Sequence, residues 1–236
     1  MTAALYIGKE GLEDDIRIKE LAESLERGGC SCYNVFEGGR LTDGTDLVLS
    51  VGGDGTFLSV AMLVGDTGIP VVGVNLGRLG FLSENHPEDV AQAILQKDYT
   101  IEDRSLLMAS LSTESGNHDI DGWPYALNEV AVHRSGAAML GVDVCLDGKW
   151  LPTYWADGLI VSTSSGSTAY SLSVGGPIVL PQSKVLIVAP IAPHNLNIRP
   201  LVIPDSSEIR LRTHSRDGKA IFTIDNRTVE IPSGTE

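Results

Sequence analysis

The sequence predicts two folds in tandem: an α/β domain with an open sheet over residues 1–100, and a mostly antiparallel β domain over residues 101–236. Three observations predict it. Up to about residue 100, apolar extended runs alternate with stretches of helical spacing, as in a parallel sheet with crossover helices. From Leu106 onward the chain offers short extended runs punctuated by Asp147-Gly148, Asp157-Gly158 and Asp217-Gly218, the turn chemistry of antiparallel strands. Between one early strand and its helix lies Val51-Gly52-Gly53-Asp54-Gly55-Thr56-Phe57-Leu58, a glycine-rich bend at the strand end where open α/β sheets bind ligands.

The elements follow in order. Ala3 to Gly8 reads as a first strand. Leu12 to Arg27 reads as a helix, with Ile16, Leu21 and Leu25 at helical spacing, Glu13, Asp14 and Asp15 at its electropositive start, and Gly28-Gly29 as its stop. Cys32 to Phe36 and Asp46 to Val51 are strands, Thr56 to Val64 a mostly buried helix, and Gly68 to Asn75 a further strand. A second glycine-rich loop, Leu76-Gly77-Arg78-Leu79-Gly80-Phe81, leads to a helix from Pro87, suited to the first turn, to Gln96. The domain boundary falls near Asp98 to Ser105. Extended runs then cover Leu106–Leu111, Ala126–His133, Gly141–Leu146, Gly158–Thr163, Lys184–Ala189, Glu208–Arg212 and Ala220–Ile224. No internal repeat or low-complexity linker is evident.

The bend at Asp54 carries chemistry. Its glycines reach positive φ and leave no Cβ between backbone and ligand. The N–H groups of Gly52, Gly53, Gly55 and Thr56, at a helix start, suit a phosphate. An acid beside an anion site is costly unless it takes a proton, holds a metal or orients a hydroxyl. Gly-Asp-Gly is also ordinary turn chemistry. The bend has no Gly-Lys-Ser/Thr ending, and Leu58 occupies the third glycine position of a dinucleotide fingerprint, so it is neither a P-loop nor that motif. Asn128-Glu129 puts two polar residues in an apolar strand, pointing to opposite faces. From Ser162 to Thr168 six hydroxyls line a loop and helix start where a sugar or phosphate could be gripped, or where they merely cap the helix. No Gly-x-Ser-x-Gly elbow points to a serine nucleophile.

Composition limits the partners. At 42% apolar and 20% charged residues the chain is globular, and a net charge of −14 argues against nucleic acid and anionic membrane. Phosphate binding would therefore lean on backbone N–H groups, helix N-termini and a divalent cation. Cys30, Cys32 and Cys145 match neither a disulfide framework nor a zinc spacing, which fits a reducing cytoplasm. The five histidines show no metal spacing, and His194 reads as a hydrogen-bonded loop residue. Met1 to Glu10 has no signal-peptide core, and the longest apolar run, near Val185 to Pro193, is too short to span a bilayer.

Gly-Gly-Asp-Gly-Thr is a signature shared by NAD kinases, diacylglycerol and sphingosine kinases and, with serine last, phosphofructokinases. Four motifs in order make the chain resemble the NAD kinases: Gly52 to Leu58, Asn75 to Phe81, Asn128-Glu129, and Asp157 through Gly166-Ser167-Thr168-Ala169-Tyr170-Ser171-Leu172-Ser173 to Gly175-Gly176-Pro177. The resemblance implies an NAD kinase/diacylglycerol kinase-like fold. It implies transfer of the γ-phosphoryl of ATP, or of polyphosphate, to the 2′-hydroxyl of NAD's adenosine ribose, giving NADP. By position, Asp54 would accept that hydroxyl's proton, with Gly55 alongside. Asn128 and Glu129 would hold the adenosine. Asp157, Ser165, Thr168, Ala169, Tyr170, Ser173, Phe81 and Ala192 would line the NAD cleft. Mg²⁺ or another divalent cation would come with the nucleotide, no residue being assigned as metal ligand, and the protein would be a cytoplasmic homodimer or homotetramer. Departures are Ser164-Ser165 for the family's Pro-Thr, neutral Ser59 and Met139 at often basic positions, and Asp225-Asn226-Arg227 for its Asp-Gly-Gln turn. The family usually continues past the equivalent of Glu236, so the expectation is a compact lineage or a shortened chain. Alternative readings are a lipid kinase of the same superfamily and a non-catalytic NAD-binding sensor.

Overall fold

The computed structural model describes residues 1–77, 80–113, 116–118, 120 and 122–236. Arg78 and Leu79 of the second glycine-rich loop lie outside the described residues. The chain forms two compact units, Met1–Glu102 and Asp103–Glu236.

The first unit is an α/β layer structure. Strands β1 (Thr2–Ile7), β2 (Ser31–Val35), β3 (Leu47–Val51) and β4 (Val71–Val74) form a parallel sheet in the order β2-β1-β3-β4. Helices α1 (Ile16–Arg27), α2 (Asp54–Val64) and α3 (Pro87–Gln96) connect and cover it. Strand alternation explains the layers. Ala3, Leu5, Ile7, Leu49, Val51 and Val74 pack with Ile18, Leu21 and Leu25 of α1 and Val90 and Ile94 of α3. Ala4, Tyr6 and Val48, on the opposite face, pack with Val60 and Val64 of α2. The strand order reverses direction between β1 and β3, which makes their carboxyl ends the binding crevice of this topology.

Two boundaries and one burial pattern differ from expectation. Helix α1 begins at Ile16, because Leu12–Asp14 is a 3₁₀ turn and extended Asp15 caps the helix through the N–H of Arg17. Helix α2 begins at Asp54, with Gly53 as its cap, so the expected bend residues Asp54 and Gly55 are already its first turn. Nor is α2 mostly buried: only Val60 and Val64 are, one turn apart on the sheet side, while Met62 is exposed.

The second unit is antiparallel. After β5 (Leu107–Met108), β6 (Leu111–Thr113), β7 (Gly116–His118) and β8 (Tyr125–Ala126) come β9 (Glu129–Arg134), β10 (Leu140–Leu146), β11 (Lys149–Trp150), β12 (Tyr154–Ala156) and β13 (Gly158–Thr163). The one-turn helix α4 (Tyr170–Ser173) precedes β14 (Val185–Ile191), β15 (Leu201–Pro204), β16 (Ile209–Ser215), β17 (Lys219–Ile224) and β18 (Arg227–Pro232). The larger sheet runs β15-β14-β13-β9-β17-β18, and the smaller joins β11, β10, β12 and β16. Val130, Val132, Leu159, Val161 and Phe222 of the larger share one core with Leu140, Val142, Val144 and Tyr154 of the smaller. Glu129, Ala131 and His133 therefore project from the other face of β9.

Candidate active site

In the first unit the geometry centres on Asp54. Its side chain reaches across to the loop after β4: Oδ2 accepts from the Phe81 N–H at 3.0 Å, and Oδ1 from those of Leu82 and Ser83, each at 3.0 Å. Gly80 permits this approach, since a Cβ there would lie 2.5 Å from the Asp54 carboxyl carbon. Gly73 lets the same loop lie against β4, where a Cβ would sit 2.6 Å from the Ser83 Cα. The loop is tied back further by Gly80 N–H to Ser83 O at 3.1 Å and Asn85 Nδ2 to Gly73 O at 3.1 Å. A carboxylate offers about four acceptor directions. Three are used, so Asp54 is aimed and one direction remains.

The expected phosphate grip is narrower than the sequence suggests. Gly52, at φ 154°, donates its N–H to Val74 O at 2.9 Å, and Thr56 donates to Gly53 O at 3.0 Å. Neither N–H is left for a ligand. The Thr56 side chain packs against Gly8 and Gly52 at the ends of β1 and β3, where neither position has room for a Cβ. Gly53 and Gly55 are exposed, with open space where a Cβ would stand. The first-turn N–H groups of Asp54 and Gly55 have no intrahelical acceptor. An anion would meet these. Phe81 stands beside them, 66% exposed.

In the second unit Glu129 begins β9 and Asn128 immediately precedes it. Asn128 is buried, and among the described residues its Oδ1 has no hydrogen-bond partner; the buried Glu129 Oε2 likewise has none there. Such groups are costly unless something supplies donors. Burial, then the nearby charge of Asp225, pushes the Glu129 carboxyl up to about 7, and a bond from the Tyr170 backbone opposes this. Gly166 lies over Asn128: a Cβ there would be 2.6 Å from the Asn128 carbonyl carbon and 2.6 Å from Ser162 Oγ.

Most of the hydroxyls expected to grip a sugar or phosphate are already used. Ser162 and Thr163 donate to the Asn128 and Leu127 carbonyls at 3.2 and 2.6 Å, Ser164 to Pro181 O at 2.7 Å, and Ser167 to Val179 O at 3.2 Å. They knit the loop to its neighbours. Ser165 accepts from Arg104 at 3.5 Å and Thr168 donates to Ser165 O at 3.5 Å, both at the outer limit of a hydrogen bond.

The remaining expected residues come from two segments, which the Tyr170 ring links through His133. Ala169 and Tyr170 cap and begin α4, which ends at Ser173. The Tyr170 ring stacks on His133, centroids 5.9 Å apart and 17° from parallel. Burial lowers the basicity of His133, so the supporting ring is the neutral imidazole near neutral pH. Asp157 and Ala192 lie at the far end of the sheet, where Gly158 pairs with both His133 and Ile191. Glu129 pairs with Ser162, five residues from Asp157, a span of about 17 Å. Asp157 is engaged by Arg134, Nε to Oδ1 at 2.8 Å. Ala192 is exposed and held at φ 46°, unusual for a residue with a Cβ. His194 donates its backbone N–H to Trp155 O at 2.9 Å. Sequence reasoning missed the loop from Gly80 to Ser83 as the receptor of Asp54, and the His133 platform; glycine density signals the first and the i, i+4 outward pairing with Glu129 the second.

Comparison with known proteins gives the family. Two family models match, the ATP-NAD kinase N-terminal domain over residues 35–99 and the ATP-NAD kinase C-terminal domain over residues 127–235. The NAD kinase of Flavobacterium psychrophilum is 46% identical over 190 residues, 79% of this chain and 64% of that protein. That of Bacteroides fragilis is 47% identical over 184 residues, 76% of this chain and 62% of its own length. That of Flavobacterium johnsoniae is 43% identical over 200 residues, 83% of this chain and 67% of that protein. The chain thus spans under two thirds of the length of the first two. Among solved structures, yeast NADH kinase complexed with NADH superposes with a TM-score of 0.84 at 26% identity, over 100% of this chain and 76% of that one. An NAD kinase from Archaeoglobus fulgidus in complex with ATP gives 0.76 at 27% identity, over 100% and 88%. No helix among the described residues is long and apolar enough to cross a membrane. By two family models, by sequence relatives and by fold, the chain belongs to the NAD kinase family.

Proposed function

We propose that this chain phosphorylates the 2′-hydroxyl of the adenosine ribose of NAD to make NADP, with ATP, or polyphosphate, as donor. The observation that carries the reading is Asp54: a carboxylate aimed by three backbone N–H groups, one acceptor direction unused, beside the open backbone of Gly53 and Gly55. Phosphoryl transfer passes through a loose transition state, so catalysis is mostly positioning and charge stabilisation. Asp54 orients the ribose hydroxyl and takes its proton. The Gly53–Gly55 backbone receives the phosphoryl oxygens. In the second unit, the β-rich NAD-binding domain of this reading, Asn128 and Glu129 accept hydrogen bonds from the adenosine. Phe81, Asp157, Ser165, Thr168, Ala169, Tyr170, Ser173 and Ala192 line the dinucleotide's path.

The Mg²⁺ of this reading comes with the donor and is held by its phosphates, as that ion commonly is. The free thiols of Cys30, Cys32 and Cys145 support a cytoplasmic setting, and the family resemblance a homodimer or homotetramer. The net charge of −14 supports a protein without nucleic-acid or membrane partners.

The test is direct. The protein is incubated with NAD and Mg²⁺ and, in parallel, ATP or polyphosphate, and an NADP-specific dehydrogenase reads the product. NADP with at least one donor is expected; none with any donor overturns the proposal. Labelled phosphate on diacylglycerol or a sphingoid base would favour a lipid kinase instead, and tight NAD binding without turnover a sensor.

A further inference from the structure

Asp225 opens the turn between β17 and β18 at φ 50°, a left-handed value that Asp tolerates better than most residues. Its side chain meets the start of β9, a segment nearly a hundred residues earlier. Oδ2 accepts from the Leu127 N–H at 2.8 Å, and Oδ1 from those of Asn128 and Glu129 at 2.9 and 3.1 Å. Asp225 returns its own N–H to Glu129 O at 2.9 Å. Arg227, from the same turn, donates to Trp123 O at 2.6 Å and Tyr125 O at 3.0 Å, fixing the segment just upstream. Asn128 and Glu129 are thus gripped by their backbones. Their side-chain oxygens Oδ1 and Oε2 are left buried and, among the described residues, without a hydrogen-bond partner.

We propose that Asp225 is a positioning residue for dinucleotide binding, acting through Asn128 and Glu129 so that their two free acceptors meet the hydroxyl or amino donors of a nucleoside. This rests on the NAD kinase reading. Asp225 touches no part of the ligand itself. Two features favour this role over a purely structural tie. Asp225 stands as a second carboxylate beside Glu129, a repulsion that a backbone tie placed elsewhere along the strand would avoid. That same charge makes the Glu129 oxygens more basic, hence stronger acceptors for a neutral donor. Burial first, then the charge of Asp225 from the β17–β18 turn, raises the Glu129 titration, and the Tyr170 N–H from α4 opposes them; Arg227 acts on Asp225, and His133 lies four residues along the same face of β9.

Asp225→Asn keeps the size but turns an amide NH₂ toward backbone N–H groups. Its steady-state kinetics should show the KM for NAD raised by about 10-fold or more, from the cost of disturbed buried hydrogen bonds. The KM for ATP and the kcat at saturating NAD should stay within about 2-fold, inside the error of one such contact. The inflection of kcat/KM for NAD against pH should move to lower pH, because a neighbouring negative charge is gone. An unchanged KM for NAD, an unchanged inflection, or equal rises in both KM values overturns the proposal. If the variant is unfolded by circular dichroism, carboxyl-carbon NMR of the unaltered protein decides: a Glu129 titration near 7 that shifts when NAD saturates supports it, and an ordinary titration unmoved by NAD overturns it. Wild-type protein that yields no NADP sinks the kinase reading instead. Calorimetric NAD affinities of wild type and Asp225→Asn then test the positioning role alone, weaker binding supporting it and equal binding overturning it.

Discussion

Asp54 and Asp225 solve the same local problem in the two units: each carboxylate gathers three backbone N–H groups from a distant loop. Because Asp54 is pinned, its neighbours cannot yield freely. Gly80→Ala would drive a Cβ into the carboxylate, so turnover should fall by about 10²-fold, the scale of a misplaced catalytic group, with the KM for NAD nearly unchanged. Wild-type rates in the variant would show that the loop shifts without moving Asp54. Glu129 makes a different prediction. Its folded proton affinity, near 7, exceeds the usual 4.5 of the unfolded chain. Between those values the folded state holds a proton that the unfolded state has lost, so stability falls as pH rises. Glu129→Gln should therefore raise the melting temperature at pH 8, by on the order of 2–3 kcal/mol of stability, and the gain should vanish near pH 5. Equal melting shifts at both pH values would contradict this.

At the scale of elements, legibility followed the range of the determining contacts. The β3–bend–α2 unit was readable because apolar runs and glycines are local signals. The start of α1 was misjudged by a few residues because Asp15, rather than an earlier acid, caps it. Strands β5 to β8, two or three residues long, carry too few positions for any period to show. The hydroxyl loop was legible as a loop but not in use: Ser162, Thr163, Ser164 and Ser167 face carbonyls that only the folded β9 and the segment near Pro181 provide. Gly166 shows the consequence. Gly166→Ala places a Cβ against the Asn128 carbonyl, backbone that cannot step aside. It should cost about 1–3 kcal/mol by overpacking and raise the KM for NAD more than that for ATP. Thermal melting and paired KM measurements check both effects, and a fully stable variant with wild-type KM values would contradict them.

At the scale of the whole molecule, the charge of −14 and the polyanionic substrates of the proposed reaction are in tension. In the proposed reading the open backbone of the Gly53–Gly55 stretch, rather than a basic patch, receives the phosphates. Raising ionic strength from about 10 mM to about 150 mM screens the long-range repulsion, so KM values for ATP and NAD should fall or hold. A steep rise with salt, as a cationic cleft would give, would contradict the account. The family, fold class and order of motifs were legible from Gly52 to Pro177; the partners of Asp54 and Asp225 were not, since they lie about thirty and a hundred residues away in sequence. The central claim, an aimed carboxylate beside open backbone, is tested most directly by rapid-quench single turnover of Asp54→Asn with NAD and ATP saturating. The account predicts a chemical step slowed by about 10²–10⁴-fold with NAD affinity largely kept; a step as fast as wild type would contradict it.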